Sequence, residues 1–376
     1  MENKKSIVFV SHLDMRGSGY FNIATPLCSE LVKRGNFVKV IGLGYTGVQH
    51  NYPISIIPAG SMEHVMAMLQ NLYTVYKYDA LVVAFDITVQ MDLINRLKQQ
   101  PFKYVGIMPV ESNPLCMSWA MQLSKVDKPL IISRFGTEEA KSAGVYRAEY
   151  FPISINTDFW KSPTQEERKK YRDFFGFTDE TFAVLTVADN QERKNLWKSM
   201  EMFAEFSKDK SDARYILVTR KDSFVGWKLD DLAVDLGISN KLMLFERGMT
   251  ASELWKLYAI SNTFLLASKA EGLGLPVLEA MACEIPCIGT NCTGIKENLS
   301  DNRGLLIDYD YQYVDPFGNS VRYCASKEHG IQLLNGVYNK TNLPDVSAAR
   351  EYVKEFTVEK SADVFEKYLE DVCNAE

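Results

Sequence analysis

At 376 residues the chain is too long for one ordinary domain, and two domains of roughly 150–200 residues each are expected. Hydrophobic residues at 46% and charged residues at 24% set aside a disordered chain. The formal charge of −6 argues against the basic footprint of a nucleic-acid binder. No apolar run approaches the roughly 18 residues that cross a bilayer.

Ser6–Val10 is too short for a signal-peptide core and reads as part of a first strand, Ile7–Ser11. The loop Met15–Tyr20 follows. Its Gly17 and Gly19 let backbone pass close to a phosphate or an acceptor, and equally suit any tight strand-to-helix turn. A helical stretch from Phe21 to Arg34 is closed by Gly35, the usual residue of a helix C-cap. Val38–Leu43, Ala80–Phe85, Tyr104–Met108 and Leu130–Ser133 read as further strands; Asp86 and Glu111 each follow one of them. The polar stretch Lys161–Arg172 reads as a linker and the start of a second domain, its charges a solvated helix face. The pattern then restarts. Phe182–Val187, Tyr215–Thr219, Leu242–Phe245, Phe264–Ala267 and Pro286–Gly289 are strand candidates, separated by helices such as Trp197–Lys208 and Ser252–Ile260. Tyr309–Tyr323 reads as a long aromatic loop, and Val346–Val372 as a closing helix.

Such βα alternation implies two parallel sheets with helices on both faces. Two doubly wound domains in tandem would set the carboxyl ends of both sheets around a shared cleft, where ligands bind in this class of sheet. The expected domains are residues 1–165, completed by a C-terminal helix at about 357–376, and residues 166–356.

Seven cysteines form no CxxC pair and four histidines show no metal-ligand spacing, so buried thiols and a metal-free protein are expected. The acidic pair Asp230-Asp231 is adjacent and has a helical context. A reducing, cytoplasmic location follows as an expectation, with a peripheral position at a membrane left open.

Chemistry concentrates in Ser268-Lys-Ala-Glu-Gly-Leu-Gly-Leu-Pro-Val-Leu-Glu-Ala-Met-Ala282, directly behind the strand Phe264–Ala267. Gly272 and Gly274 permit close backbone approach, and Pro276 suits the first turn of a helix. Exposed N–H groups at such a helix start favour an anion, for example a diphosphate. Glu271 in the loop and Glu279 one turn into the helix can address two parts of one ligand, a transferred group and a ribose diol. A plain βα turn with Glu279 as a surface charge is the competing interpretation.

The whole string resembles the signature of family 4 retaining glycosyltransferases, in which two glutamates with seven residues between them bracket a Gly-rich turn and helix. Here that is Glu271-GLGLPVL-Glu279. The similarity continues through EAMACEIPCIGTNCTGIKENL and begins upstream with GMTASELWKLYAISNTFLLAS, so the specific part runs from Gly248 to Leu299. The resemblance implies the GT-B class, two Rossmann-like domains facing a cleft, and transfer of a sugar from a UDP or GDP donor. It implies that Glu279 binds the ribose hydroxyls and that Glu271 contacts the sugar. The backbone amides of Gly272, Leu273, Gly274 and Leu275 would hold sugar hydroxyls and phosphate.

Val187-Ala-Asp-Asn-Gln-Glu-Arg-Lys-Asn195 resembles the family's first loop in its second domain. Lys194, with Arg193 beside it, is sited to neutralise a leaving diphosphate. The family usually places an Arg directly after this strand; Asp189 and Asn190 stand there instead. The same resemblance points to Arg247 for the nucleotide base, to Glu111 for the acceptor, and to Gly17 and Gly19 for a loop on the cleft. It implies no cofactor and no metal beyond the nucleotide-sugar co-substrate. The acceptor could be a glycan, a lipid, a small molecule or, less in keeping with the acidic total, a DNA base. A nonenzymatic nucleotide-sugar sensor and a phosphorylase or epimerase are the other classes compatible with these residues.

Overall fold

A computed structural model describes residues 4–14, 19–97 and 100–374. The chain divides into two compact units, residues 1–154 with 356–376, and residues 155–355.

In the first unit strands and helices alternate: β1 (Ser6–His12), α1 (Gly19–Lys33), β2 (Phe37–Leu43), β3 (Ser55–Ala59), α2 (Met62–Tyr76) and β4 (Ala80–Ala84). They continue with α3 (Ile87–Arg96), β5 (Lys103–Met108), α4 (Met117–Leu123), β6 (Lys128–Ile131), α5 (Arg134–Ser142) and β7 (Glu149–Tyr150). Together the strands form a seven-stranded sheet in the order β3-β2-β1-β4-β5-β6-β7, every neighbour parallel. Central strands buried on both faces need continuous apolar runs, and β4 is Ala-Leu-Val-Val-Ala, buried throughout. Gly35 ends α1 as its composition implies: its φ of 92° is left-handed, and Asn36 N–H then reaches back to Leu31 O at 3.0 Å.

The second unit holds α6 (Gln165–Phe174), β8 (Phe182–Val187), α7 (Leu196–Phe206), β9 (Ala213–Thr219), α8 (Leu229–Asp235), β10 (Leu242–Glu246) and α9 (Ala251–Ile260). Next come β11 (Thr263–Leu266), α10 (Leu275–Ala282), β12 (Cys287–Thr290), α11 (Thr293–Leu299), β13 (Leu305–Ile307), β14 (Tyr309–Asp315), β15 (Ser320–Ala325), α12 (Lys327–Tyr338) and α13 (Val346–Val353). Its parallel sheet runs β10-β9-β8-β11-β12-β13. Strand order reverses between β8 and β11, and the crevice outside the carboxyl ends at such a reversal is where open α/β sheets hold ligands. Beneath it the core is packed by Val184, Leu265, Ile288, Leu217 and Phe203. Truncating one such residue, Leu265→Ala, costs about 2–5 kcal/mol.

Three segments differ from the sequence-based expectation. Tyr309–Tyr323 is not a loop: β14 and β15 form an antiparallel hairpin, turning through Pro316–Asn319. The closing stretch is two helices, because Thr357 starts a new one, α14 (Val358–Asn374), its hydroxyl accepting Lys360 N–H at 3.2 Å. That helix belongs to the first unit, where Arg34 pairs with its Asp363 at 2.6 Å and Glu366 at 2.9 Å. The charge run Lys161–Arg172 is also more than a solvated face. Arg168 donates to Ala259 O and Ser261 O, and the buried Arg172 to Ile260 O, so both satisfy carbonyls at the end of α9. A capping box of Thr164 and Glu167 starts α6, a device worth about 1 kcal/mol.

Candidate active site

The loop behind β8 and the loop behind β11 are fastened to each other residue by residue. Lys269 N–H donates to Arg193 O at 2.9 Å, Arg193 Nη1 to Ala270 O at 2.6 Å, and Asn195 Nδ2 to Ala267 O at 3.2 Å. The β8 loop can follow this path because it closes in a single 3₁₀ turn, Glu192–Lys194, and leaves it through Asn195 at φ 52°. Asparagine is the residue besides glycine that tolerates this region.

Glu271 is the centre of the arrangement. Its side chain is only 6% exposed, and Lys194 Nζ donates to both carboxylate oxygens at 2.7 Å. Arg193 Nη1 lies 3.2 Å from Oε2, and Ser268 Oγ donates to Oε1 at 2.8 Å. Burial by itself pushes this carboxyl up; the adjacent Lys194 and Arg193 charges outweigh that and hold it down at about 2. Glu271 is therefore a fixed anion that holds a lysine.

Its backbone is fixed as well. Glu271 N–H donates to Thr293 Oγ1 at 2.8 Å, and Gly294 N–H to Glu271 O at 3.0 Å. A Cβ on Gly294 would stand 2.7 Å from Gly272 O, so that position has no room for a side chain. Asn298 Nδ2 donates to Leu273 O at 2.6 Å. Gly274 caps α10 at φ 84°, a conformation that strains any L side chain, and Pro276 occupies the first turn. Gly272, Leu273, Gly274 and Leu275 thus lead into the amino end of α10, where Pro276 carries no N–H and Val277 N–H donates to Gly274 O at 2.9 Å.

Glu279 stands differently. It is buried in α10 and accepts a hydrogen bond from Tyr258 Oη of α9 at 2.9 Å, while the same hydroxyl also lies 3.3 Å from Pro276 O. Burial raises its carboxyl to about 7, although the Tyr258 hydrogen bond works the other way. The two glutamates of the motif therefore have separate partners, Glu271 with cations and Glu279 with a phenol.

The remaining candidates sit at the carboxyl ends of strands. Arg247 directly follows β10, with Nη1 3.5 Å from Asp189 Oδ1. Asp189 also pairs with Arg220, which directly follows β9, at 2.8 Å; this arginine has no motif around it and escaped the sequence reading. In the first unit Glu111 is half-buried in the loop after β5, Gly19 is the first residue of α1, and Asp86 accepts from Tyr20 Oη at 2.6 Å. Gly17 lies outside the described residues. Among the described residues no three His, Cys, Asp or Glu side chains group to hold a metal, and no helix is long and apolar enough to cross a membrane.

Two Rossmann-like parallel-sheet units, the second with a Gly-rich strand-to-helix turn at its strand reversal, define the GT-B class of fold. A solved glycosyltransferase from Rickettsia africae ESF-5 matches it with a TM-score of 0.77 at 18% identity, over 100% of both chains. Anabaena Alr3699/HepE in complex with UDP-glucose matches with a TM-score of 0.76 at 14% identity, over 98% of this chain and 100% of that one. Within the second unit, residues 167–313 match the model of the family Glycosyl transferases group 1. By sequence the chain is similar to N-acetyl-alpha-D-glucosaminyl L-malate synthase of Bacillus anthracis, 27% identical over 215 residues, which is 57% of this chain and 51% of that protein. The chain spans about half the length of the curated relatives it matches first.

Proposed function

We propose that this protein is a family 4 retaining glycosyltransferase that moves a sugar from a UDP or GDP donor to an acceptor hydroxyl, with no metal in the reaction. The observation that carries this reading is the buried Lys194–Glu271 pair, 2.7 Å apart, beside the amino end of α10 and within the family-matched residues. The Anabaena neighbour, whose structure is of a complex with UDP-glucose, adds support for a nucleoside diphosphate donor.

In this scheme the diphosphate lies against Lys194, Arg193 and the backbone amides of Gly272, Leu273, Gly274 and Leu275. Glu271 holds Lys194 in place and takes a sugar hydroxyl, Glu279 takes the ribose hydroxyls, and Arg247 faces the base. The acceptor oxygen bonds to the anomeric carbon from the side on which the bond to phosphate breaks. The bonding pair leaves with the diphosphate, and the acceptor proton passes to a phosphate oxygen. No protein base is then obligatory, and configuration is retained. Charge grows on the leaving group as the bond breaks, so a fixed cation acts mainly on the transition state; one such contact is worth about 3–4 kcal/mol. Glu111 is assigned to the acceptor side, whose molecule could be a glycan, a lipid or a small molecule. The free cysteines fit a cytoplasmic setting.

A panel of UDP- and GDP-sugars read by thermal shift identifies the donor, since a ligand at a hundred times its Kd stabilises by about 2.7 kcal/mol. Release of free nucleotide from that donor, with the product's anomeric configuration read by proton NMR, then tests the reaction. A shifted melting point without turnover in the presence of glycan, lipid and small-molecule acceptors would favour a binding module instead. An inverted product would overturn the retaining mechanism.

A further inference from the structure

Just ahead of the cationic turn, at the end of β8, the chain places an acid. Asp189 is enclosed by donors: Oδ1 takes Arg220 Nε at 3.2 Å and faces Arg247 Nη1 at 3.5 Å, while Oδ2 takes Arg220 Nη2 at 2.8 Å and Gln191 Nε2 at 2.9 Å. Asp189, Arg220 and Arg247 follow β8, β9 and β10, which are neighbours in the sheet, on the same edge that continues to Glu271 behind β11. A bare carboxylate at this edge would repel a diphosphate. Exposure decides which charge a ligand meets. The Asp189 side chain is 18% exposed and that of Arg220 41%, so the guanidinium is the outer group.

The two-point pairing also fixes the plane of that guanidinium, and a fork held in one orientation loses less freedom when it binds a phosphate. Farther along, the loop that Arg220 opens is tied to the β8 loop. The Asn190 side chain bonds both ways with Trp227, accepting its N–H at 2.9 Å and donating to its O at 2.8 Å. A Cβ on the preceding Gly226 would stand 2.3 Å from Asn190 Oδ1, so Gly226 lies directly against Asn190.

We propose that Arg220 is a further cation of the diphosphate site, alongside Lys194 and Arg193, and that Asp189 is its positioning residue. The inference rests on the nucleoside diphosphate donor proposed above. It gives the acid at the end of β8 a purpose: the cation comes from the neighbouring strand, and the acid aims it.

Calorimetric titration of UDP and GDP into the full-length protein and three variants tests this. Arg220→Gln is expected to weaken whichever diphosphate binds by about tenfold or more, the usual size of a lost hydrogen bond to a charged group. Asp189→Asn is expected to weaken it too. That sign is the decisive one, because removing a negative charge from an anion site would by itself tighten binding. Lys221→Gln, which deletes an exposed neighbouring cation, should leave the Kd within about twofold. Melting temperatures report that each variant is folded. Unchanged affinity in Arg220→Gln, or unchanged or tighter binding in Asp189→Asn, overturns the inference and leaves the donor assignment standing. A wild-type protein that binds neither UDP nor GDP overturns both.

Discussion

The carboxyl edges of the two sheets are built to different standards. On the second sheet the polar groups are buried and mutually fastened: Glu271, Asn190, Asn195, Ser268, Thr293 and Asn298 are all buried, and the bonds between the β8 and β11 loops run from Glu192 to Asn195. On the first sheet, among the described residues, Ser11, Ser112 and Ser133 are buried, but the candidate carboxylates are wetter, with Glu111 half-buried and Asp86 exposed. A group held by several partners is oriented before its ligand arrives, and electrostatic stabilisation of a transition state depends on that prior orientation. The difference suits a donor that never varies in its diphosphate and an acceptor met through a handful of contacts.

If that contrast is functional, substitutions on the two edges should differ in size and kind. Largest is Glu271→Gln, expected to lower kcat for transfer by about a hundredfold or more through loss of the charge that holds Lys194. An unchanged kcat would remove Glu271 from the site. The variant should also lose the stability that the charged form contributes. A carboxyl held at about 2 in the folded protein stabilises above its ordinary value of 4.5 and loses that contribution as pH falls toward 2.

Glu279→Gln comes next and should act in two opposite directions. With its carboxyl raised to about 7, wild type loses stability as pH climbs from 4.5 through 7 and then levels off. The variant escapes this, and by pH 8 should be more stable than wild type by on the order of 1–3 kcal/mol. Its donor KM should nonetheless rise several-fold. Melting curves at pH 5 and pH 8 check the first half: an equal difference at both values would show that the carboxyl does not titrate between them.

Smallest are Glu111→Gln and Asp86→Asn, which remove groups with water close by. Each is expected to change the acceptor KM by less than about tenfold and the donor KM hardly at all. A loss of donor affinity in either would erase the contrast between the two edges.

Much of the better-built edge could be read in the sequence, and the reason is local. Glu271, Gly272, Gly274, Pro276 and Glu279 share one strand-turn-helix, where glycine conformation, the proline at a helix start and the spacing of two acids are all written within a few positions. Lys194 is legible because it lies in the loop behind β8, Val187–Asn195, which resembles the family's first loop in its second domain. What escaped depends on partners that the chain brings from elsewhere. Arg220 meets Asp189 only because β9 lies beside β8, and Tyr258 meets Glu279 only because α9 packs near α10; neither residue carries a motif. The β14–β15 hairpin was hidden on both strands: β14 by its exposure, since Tyr309, Tyr311 and Val314 all face outward, and β15 because it alternates but buries Ser320 and Arg322, which carry no apolar signal. Its signal was the turn Asp315-Pro-Phe-Gly-Asn319, with Gly318 and Asn319 both at positive φ. The break between α13 and α14 was readable from Thr357, a preferred N-cap residue, with Glu359 in the first turn behind it.

The most direct test is the transfer rate of Lys194→Ala at saturating donor, measured with and without added ethylamine. Lys194 lies 18% exposed at the mouth of the β8 and β11 loops, so a small amine can reach the space its side chain leaves. The expected result is a fall of about a hundredfold or more, partly restored by the amine. A folded Lys194→Ala protein that transfers sugar at the wild-type rate would contradict the assignment of this edge to the leaving diphosphate.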